Sequence, residues 1–600
     1  MAQLIADRRD VDFVLHEQLD VTALAQEDKF SEFGKKTVDL IVGEARNFAI
    51  KEILPLQKLS DSGCTFNAGE VKVPEEYHRV FNAYNEGEWL AMTDDPAWGG
   101  QGMPKVVSMA ANEYFYGACN SFMLFQMLSH GAAKLVESFG TDKQKEQCLR
   151  NMFSGRWSGT MLLTEPEAGS DLAAVATTAT PNGDGTYSLS GNKIFISGGD
   201  HDMVENIIHP VLARIDGAPA GIKGISLFLV PKYRINDDGT LGEFNDVVCT
   251  GIEEKMGLHG NCTCSLTLGS KGQCIGTLLG GENKGMACMF QMMNEARQMV
   301  GLQGFANASA SYMYALAYAR ERVQSKELTA AGGSAPAAII RHPDVRRQLM
   351  MMKAWTEGMR SLIYYGGLCH DRMAVAKTEE EKAAYASLLE VLTPIIKGYV
   401  TDKAFDICSQ GIQVYGGYGY IEEFPVAQLL RDSRIFMIYE GTNGIQSIDL
   451  LGRKLGMKNG KPFIAFLDEI RKTITGARNI KGVEALAETF DAFLSRYTET
   501  ALNLARTAMS DKVQNAYAFS HPFLDVTGDL VMAWMLLWRA AVAAPKIGEK
   551  KKDDAFYQGQ VTTARFFINT ILPVTLGRLN AIDACDGAAV DMDDASFGSK

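Results

Sequence analysis

The sequence predicts a mainly α-helical protein with a central β domain, and three observations carry that prediction. Helical spacing of apolar residues dominates from about 39 to 155. Near 156 it gives way to short alternating runs broken by turn signals, and from about 283 helical spacing returns. In the first stretch, ANEYFYGACNSFMLFQMLSHGAAKLVESFG places apolar residues three and four apart, and Thr141 ahead of DKQKEQCLRNM reads as a helix N-cap. In the second, TATPNGDGTYSLSGNKIFISGG reads as strand, Asn-Gly-Asp-Gly turn, strand, with GISLFLVPKY and TCSLTLG as further strands. A barrel or sandwich is expected over 156–282. In the third, GMACMFQMMNEARQMVGLQGFANASASYMYALAYARERVQ contains no proline, and its methionines fall on the apolar helical face as core packing. Helical runs continue until Gly416, Gly417 and Gly419. After a Gly/Pro-marked joint at 457–462 comes a further helical block. The expected segments are an N-terminal extension 1–38, a helical domain 39–155, the β domain 156–282, a helical bundle 283–457 and an additional helical domain 458–600.

Six hundred residues exceed what one core can bury. A net charge of −13 lacks the basic footprint of a nucleic-acid binder. Eleven cysteines without a CxxC read as reduced thiols inside a cell. The N-terminus shows no apolar signal core, and the longest apolar run, LVMAWMLLW at 530–538, is too short to span a bilayer. The C-terminal FGSK is not a peroxisomal tripeptide of the SKL type. A soluble cytoplasmic protein is expected. No metal site is expected, because the nine histidines show no i,i+4 pairing. GxGxxG after a strand, GxxxxGK[ST], HExxH and GxSxG are all missing. Chemistry must then come from scattered carboxylates, hydroxyls and glycines, helped by a bound cofactor.

Four clusters hold such residues. MLLTEPEAGSDL at 161–172 offers two hydroxyls, Thr164 and Ser170, on a backbone opened by Pro166 and Gly169. KIFISGG at 193–199 is a strand ending at Ser197. GIQVYGGYGY at 411–420 carries two adjacent glycines that let backbone approach a ligand. RIFMIYEGTNGIQ at 434–446 sets Glu440 at the end of an apolar run, followed by Gly441 and Thr442.

Together and in order, with NEAR at 294–297, these clusters resemble the acyl-CoA dehydrogenase flavoprotein family over about residues 80–457. The block 458–600 resembles the larger branch of that family, the 3-methylmercaptopropionyl-CoA dehydrogenase-like enzymes. The resemblance implies the family's fold, FAD as cofactor and an acyl-CoA substrate. It implies that Met161, Leu163, Thr164 and Ser170 line the flavin, with Ser170 also near the acyl-CoA. Glu167 stands where the family commonly carries Gly. The family's Trp-Ile-Thr appears as Phe195, Ile196 and Ser197, which keep an aromatic face and a hydroxyl near flavin N5. Arg322 matches an arginine that reaches the FAD pyrophosphate of a neighbouring subunit, which implies a homo-oligomer, with a dimer favoured. Gln413, Gly416 and Gly417 complete that shared site. The family's Arg-x-Thr-Phe continuation is replaced by Val323, Gln324 and Ser325.

Asn294 and Arg297 fall on the CoA side. Glu440 falls on the position of the catalytic base, Gly441 leaves room for the thioester, and Thr442 faces FAD. Some members place the base where this chain has Ala296. Glu295, about 100° away on a helix, is the rival. The implied reaction is α,β-dehydrogenation: Glu440, made more basic by apolar neighbours, takes the α-proton, and the β-hydride goes to flavin N5. An electron-transfer flavoprotein is the implied electron acceptor. The competing readings are an acyl-CoA oxidase that uses O₂, and a DNA-associated flavoprotein of the alkylation-response branch, which would want a basic C-terminal block. A pseudo-enzyme acting in assembly is opposed by the intact Glu440.

Overall fold

Apart from a separate two-stranded ribbon at Tyr233–Ile235 and Leu241–Phe244, alternating residues in the middle of the chain fold as the eight strands of one sheet. They are β1 Trp157–Gly159, β2 Thr178–Pro181, β3 Thr186–Ser197, β4 Asn206–Ile215, β5 Ile225–Pro231, β6 Val247–Ile252, β7 Thr263–Leu268 and β8 Ile275–Leu278. The computed structural model describes residues 5–329, 335–549 and 551–598. β3 pairs with β8, β8 with β5, and β5 with β4, while the short β2 pairs with both β3 and β4. Five strands therefore close on themselves, and of the two expected alternatives the structure is the barrel. β7 and β6 extend the sheet outward from β3, and β1 runs parallel to β4. The β2–β3 turn needs its glycines, because Gly183 and Gly185 sit at φ 85° and 90°.

The chain forms two compact units. One, Leu40–Met103 with Tyr114–Met299, carries the barrel and the helices Glu76–Glu86, Asn120–Phe139 and Asp142–Phe153. Thr141 caps the last of these as expected. The Gln144 N–H donates to Thr141 Oγ1 at 3.3 Å, and Gln144 Oε1 accepts from the Thr141 N–H at 2.8 Å. The core of this unit sets Ala132, Leu135 and Val136 against Trp157, Leu212 and Leu227, with Met289 and Met292 completing it. The methionine stripe is core, as its spacing predicts.

The other unit, Met1–Asp39 with Pro104–Glu113 and Val300–Lys600, is helical. Its bundle includes Pro343–Val375, Glu379–Pro394, Val400–Tyr415 and Pro425–Ser433. Beyond residue 457 follow Lys461–Ala477, Glu484–Thr507, Ser520–Ala543, Asp554–Phe566 and Leu572–Ala584. The apolar run at 530–538 belongs to a longer element than its own length suggests. Ser520–Lys546 has the length and hydropathy to cross a bilayer, yet 89% of its most apolar window is buried inside the protein. It is the core helix of the C-terminal block.

The charged N-terminal stretch is not a solvated extension. Val11, Phe13, Val14, Leu15 and Leu24 are buried, and so is Asp10. The Asp10 carboxylate accepts from Arg360 Nη1 through one oxygen and from Arg539 Nη2 through the other. Arg360 also donates to Glu113, from Nε at 3.0 Å and Nη2 at 2.5 Å. Arg539 donates to Gln560 Oε1 at 2.8 Å and Ser361 Oγ at 2.9 Å. Burial alone would raise the Asp10 pKa, but the two guanidiniums outweigh it and hold the carboxyl below its ordinary value.

Asp10→Asn removes the shared charge and leaves both guanidiniums under-paired. The expected loss is about 3–5 kcal/mol, read as an earlier calorimetric transition. The double variant Asp10→Asn/Arg539→Met should recover part of that loss. Because the folded pKa of Asp10 is lowered, its contribution is present at neutral pH and fades as pH falls through that value.

Candidate active site

The loop after β1 is pinned to the barrel at several points. The Leu162 N–H donates to Pro210 O at 2.9 Å, Leu212 N–H to Leu162 O at 3.1 Å, and Ile194 N–H to Thr164 O at 3.0 Å. The last bond joins the TEPEAGSD and KIFISGG stretches. Between Glu165 and Ala168 the chain makes a tight turn closed by two reciprocal backbone bonds of 3.1 and 3.0 Å. Glu167 has no positive φ there, so this turn does not depend on glycine.

Beneath the loop lies a buried ion pair. Lys193 Nζ donates to Glu165 Oε1 at 2.8 Å, Leu212 O at 2.8 Å and Leu163 O at 3.1 Å. Glu165 also accepts from the Ala176 and Thr177 N–H groups and the Thr177 hydroxyl. Burial drives the Lys193 ammonium down to about 8 against the pull of Glu165. On Glu165 burial also disfavours charge, but Lys193 and the Thr177 and Ala176 donors more than offset it and lower its pKa. Neither residue stood out as functional in the sequence, although both lie inside the quoted motifs. The available signal was a lysine directly ahead of the apolar run Ile194, Phe195 and Ile196 in a strand.

β3 itself is irregular where it matters. Lys193 pairs with Leu266 and Ile196 with Cys264, so two residues, Ile194 and Phe195, face the single residue Ser265. This is a β-bulge, which re-aims a side chain. Phe195 takes φ 59° and turns outward, 59% exposed, while Ile196 is buried and Ser197 half-buried. A phenylalanine in left-handed backbone is a strained position of the kind that clusters at functional sites. The structure thus gathers Met161, Leu163, Thr164, Phe195, Ile196 and Ser197 at one edge of the barrel, with Ser170 exposed further along the loop. Asn294 and Arg297 sit on the helix Gly285–Glu321, the first exposed and the second buried. Against burial, Asp94, Glu137 and Glu295 hold the nearby Lys134 ammonium above its ordinary value, which places the rival Glu295 among charged partners.

In the helical unit, Arg322, Gly416 and Gly417 line one cavity of about 440 Å³ together with Gln324, Ile339 and Tyr418. Tyr318 and Tyr415 stack beside it, with ring centroids 4.1 Å apart. Gln413 lies just before, exposed on Val400–Tyr415 and outside the lining.

Glu440 occupies the bend between the 3₁₀ turn Arg434–Met437 and the helix Asn443–Asp449. Its φ is 54° and that of Gly441 is 80°, so two successive residues are left-handed. Of the apolar run before it, Phe436 is buried, stacking on Tyr439 at 6.1 Å, whereas Ile438 is exposed. The Tyr439 hydroxyl donates to the buried Gln303 Oε1 at 2.6 Å. Gly441 O accepts from Lys397 Nζ at 2.7 Å and Gln446 Nε2 at 3.2 Å, and Thr442 Oγ1 caps the next helix by accepting from the Ile445 N–H. Gln303 and Lys397 were not legible as site residues.

Comparison with known proteins decides the family. Residues 36–156, 160–270 and 283–455 match the N-terminal, middle and C-terminal domain models of acyl-CoA dehydrogenase, and 466–593 match the acetyl-CoA dehydrogenase C-terminal-like model. The chain belongs to the acyl-CoA dehydrogenase family. It is 39% identical to the 3-methylmercaptopropionyl-CoA dehydrogenase of Ruegeria pomeroyi, over 94% of this chain and 95% of that relative. It is 36% identical to a butyryl-CoA dehydrogenase of Syntrophomonas wolfei, over 98% of each. Among solved structures, Caenorhabditis elegans ACDH-11 in complex with C11-CoA superposes with a TM-score of 0.74 at 19% identity, over 98% of this chain and 94% of that one. A Bacillus anthracis acyl-CoA dehydrogenase complexed with FAD gives 0.70 at 23%, over 95% and 94%. Those two likenesses establish the acyl-CoA dehydrogenase fold, including its helices beyond residue 457.

Lys193→Met leaves Glu165 buried opposite an apolar side chain. The expected loss is about 3–5 kcal/mol, with a lower melting temperature and faster limited proteolysis across 161–177.

Proposed function

We propose that this acyl-CoA dehydrogenase uses FAD to convert an acyl-CoA to its 2-enoyl-CoA, with Glu440 as the base for the α-proton. An electron-transfer flavoprotein then takes the electrons. The observation that carries the reading is the backbone at Glu440 and Gly441: a carboxylate residue in a left-handed conformation, tied down on both flanks. Surroundings that impose such strain on a non-glycine residue are characteristic of sites that use it.

The fit to FAD rests on residues present. Arg322 offers a cation for a diphosphate, and a Cβ built on Gly416 or Gly417 meets nothing within 4 Å, so backbone there is open to a ligand. Gln413 flanks that cavity. Phe195 presents an uncovered ring, and Thr164 and Ser197 carry hydroxyls on the same barrel edge as Met161, Leu163 and Ile196. FAD, when bound, supplies the acceptor for the β-hydride. Ser170, Asn294 and Arg297 are assigned to the CoA thioester.

Glu440 accepts the α-proton on a carboxylate oxygen. Its backbone N–H donates to the thioester carbonyl and stabilises the developing enolate. Gly441, without a side chain, leaves space for the thioester, and Thr442 anchors the loop to the following helix. The names of the full-length relatives, dehydrogenases for 3-methylmercaptopropionyl-CoA and butyryl-CoA, support a dehydrogenase over an oxidase. A cytoplasmic homodimer completes the reading.

Anaerobic addition of a panel of acyl-CoAs to the yellow holoenzyme should bleach the flavin band. Glu440→Gln should keep FAD and slow bleaching by about 10²–10⁴-fold, the usual contribution of a positioned base. A holoenzyme that no acyl-CoA bleaches sinks the dehydrogenase reading. Reoxidation of the reduced enzyme by an electron-transfer flavoprotein but not by air separates dehydrogenase from oxidase.

A further inference from the structure

A lysine with no exposed surface stands behind the proposed base. Lys397 lies in a single π-turn, Ile395–Tyr399, that follows Pro394. Proline cannot donate an N–H, and π-turns of this kind recur at functional sites. Burying an ammonium costs several kcal/mol unless strong acceptors meet it. Here Nζ donates to Gly441 O at 2.7 Å and to Asn443 Oδ1 at 2.8 Å. Asn443 returns the link, its Nδ2 donating to Gly398 O at 3.0 Å and Asp402 Oδ1 at 2.8 Å. Turn and loop are therefore cross-linked at Gly441 and at Asn443, immediately after Glu440.

The C-terminal block holds the turn from behind. A Cβ on Gly398 would lie 2.7 Å from Leu524 Cδ2, so the core helix Ser520–Ala543 closes directly on it. Tyr399 donates to Asp529 Oδ1 at 2.6 Å, and Ser447, beyond the loop, is 3.2 Å from Ser520 Oγ.

We infer that Lys397 is a positioning residue for the base: its ammonium grips the Gly441 carbonyl and so fixes the strained backbone that aims the Glu440 carboxylate. An apolar side chain would fill this buried place without any desolvation cost. What it could not supply is a charge-assisted bond strong enough to hold a carbonyl in one orientation. This inference rests on the assignment of Glu440 as base, and the test separates the two.

Wild type, Glu440→Gln, Lys397→Met and Lys397→Gln are purified as holoenzymes. Each is mixed anaerobically with butyryl-CoA, or with whichever acyl-CoA of the panel bleaches wild type fastest. Crotonyl-CoA, an enoyl product, reports ligand binding through its perturbation of the flavin spectrum. Lys397→Met should keep FAD and crotonyl-CoA affinity while bleaching about 10²-fold slower, the cost of a misplacement of about 1 Å. Lys397→Gln, which retains a donor, should fall between it and wild type. If Lys397→Met cannot be obtained folded, Lys397→Gln decides by the same two readouts. A bleaching rate within about threefold of wild type, or loss of FAD and crotonyl-CoA affinity in step with rate, overturns the inference. If Glu440→Gln itself bleaches at the wild-type rate, the base assignment fails instead. An inactive Glu440→Gln beside a fast Lys397→Met removes only the role of Lys397.

Discussion

The helical unit is organised around one carboxylate that cannot reach water. Asp10 takes a guanidinium on each oxygen, one from the bundle and one from the C-terminal block. Arg539 finds its nearest carboxylate there, Arg360 shares its charge between Asp10 and Glu113, and removing any one of them would leave a buried charge under-paired. Glu113 and Ser309 complete Arg360, and Gln560 and Ser361 complete Arg539, so every member of the network restricts the others. Three stretches distant in sequence are thereby held in one register that apolar packing alone would leave less specific.

A second pattern links the two units without requiring contact between them. In each, a left-handed non-glycine residue lies close to a buried lysine. Lys193 binds the Leu163 carbonyl and Glu165 beneath the bulge that turns Phe195 outward, and Lys397 binds the Gly441 carbonyl beside Glu440. Lys193 has a carboxylate partner in Glu165, whereas Lys397 donates to a carbonyl and an amide oxygen; what they share is a charge-assisted bond to a backbone carbonyl. A compact cation with several donors can tie a carbonyl to its surroundings where a neutral group would bind it more weakly. The left-handed conformations at Phe195 and Glu440 each cost roughly 1–2 kcal/mol, and the Gly441 carbonyl anchored by Lys397 directly adjoins the second of them.

The change of hydrophobic period from helical to alternating and back made the fold class legible, because burial on one face imposes that period on sequence. Closure of the barrel was not legible. It depends on the four residues of β2, whose pairing with two neighbours leaves no distinct pattern. Glu440 could be singled out because a carboxylate at the end of an apolar run is unusual and the surrounding motif is specific. The bulge at Phe195 escaped because a bulge changes register rather than composition. Asp10 carries no mark of burial within the expected N-terminal extension, since the arginines that bury it lie more than three hundred residues away. Lys397 sits among Ile395, Ile396 and Tyr399, all buried, yet a lone lysine in a helical run reads as solvated surface. Pro394 beside it was the available warning.

The ties to Asp10 also constrain synthesis. Asp10 leaves the ribosome 529 residues ahead of Arg539. At translation speeds of about 5–20 residues per second, the interval is on the order of half a minute to two minutes. Through that time the nascent N-terminal helix carries an acid whose second partner does not yet exist, and the bundle waits for the helix that closes on its π-turn. The barrel unit ends at Met299 and can mature while the rest is still being made. The helical unit cannot, so a chain stalled before residue 539 would present an incomplete core to chaperones and proteases.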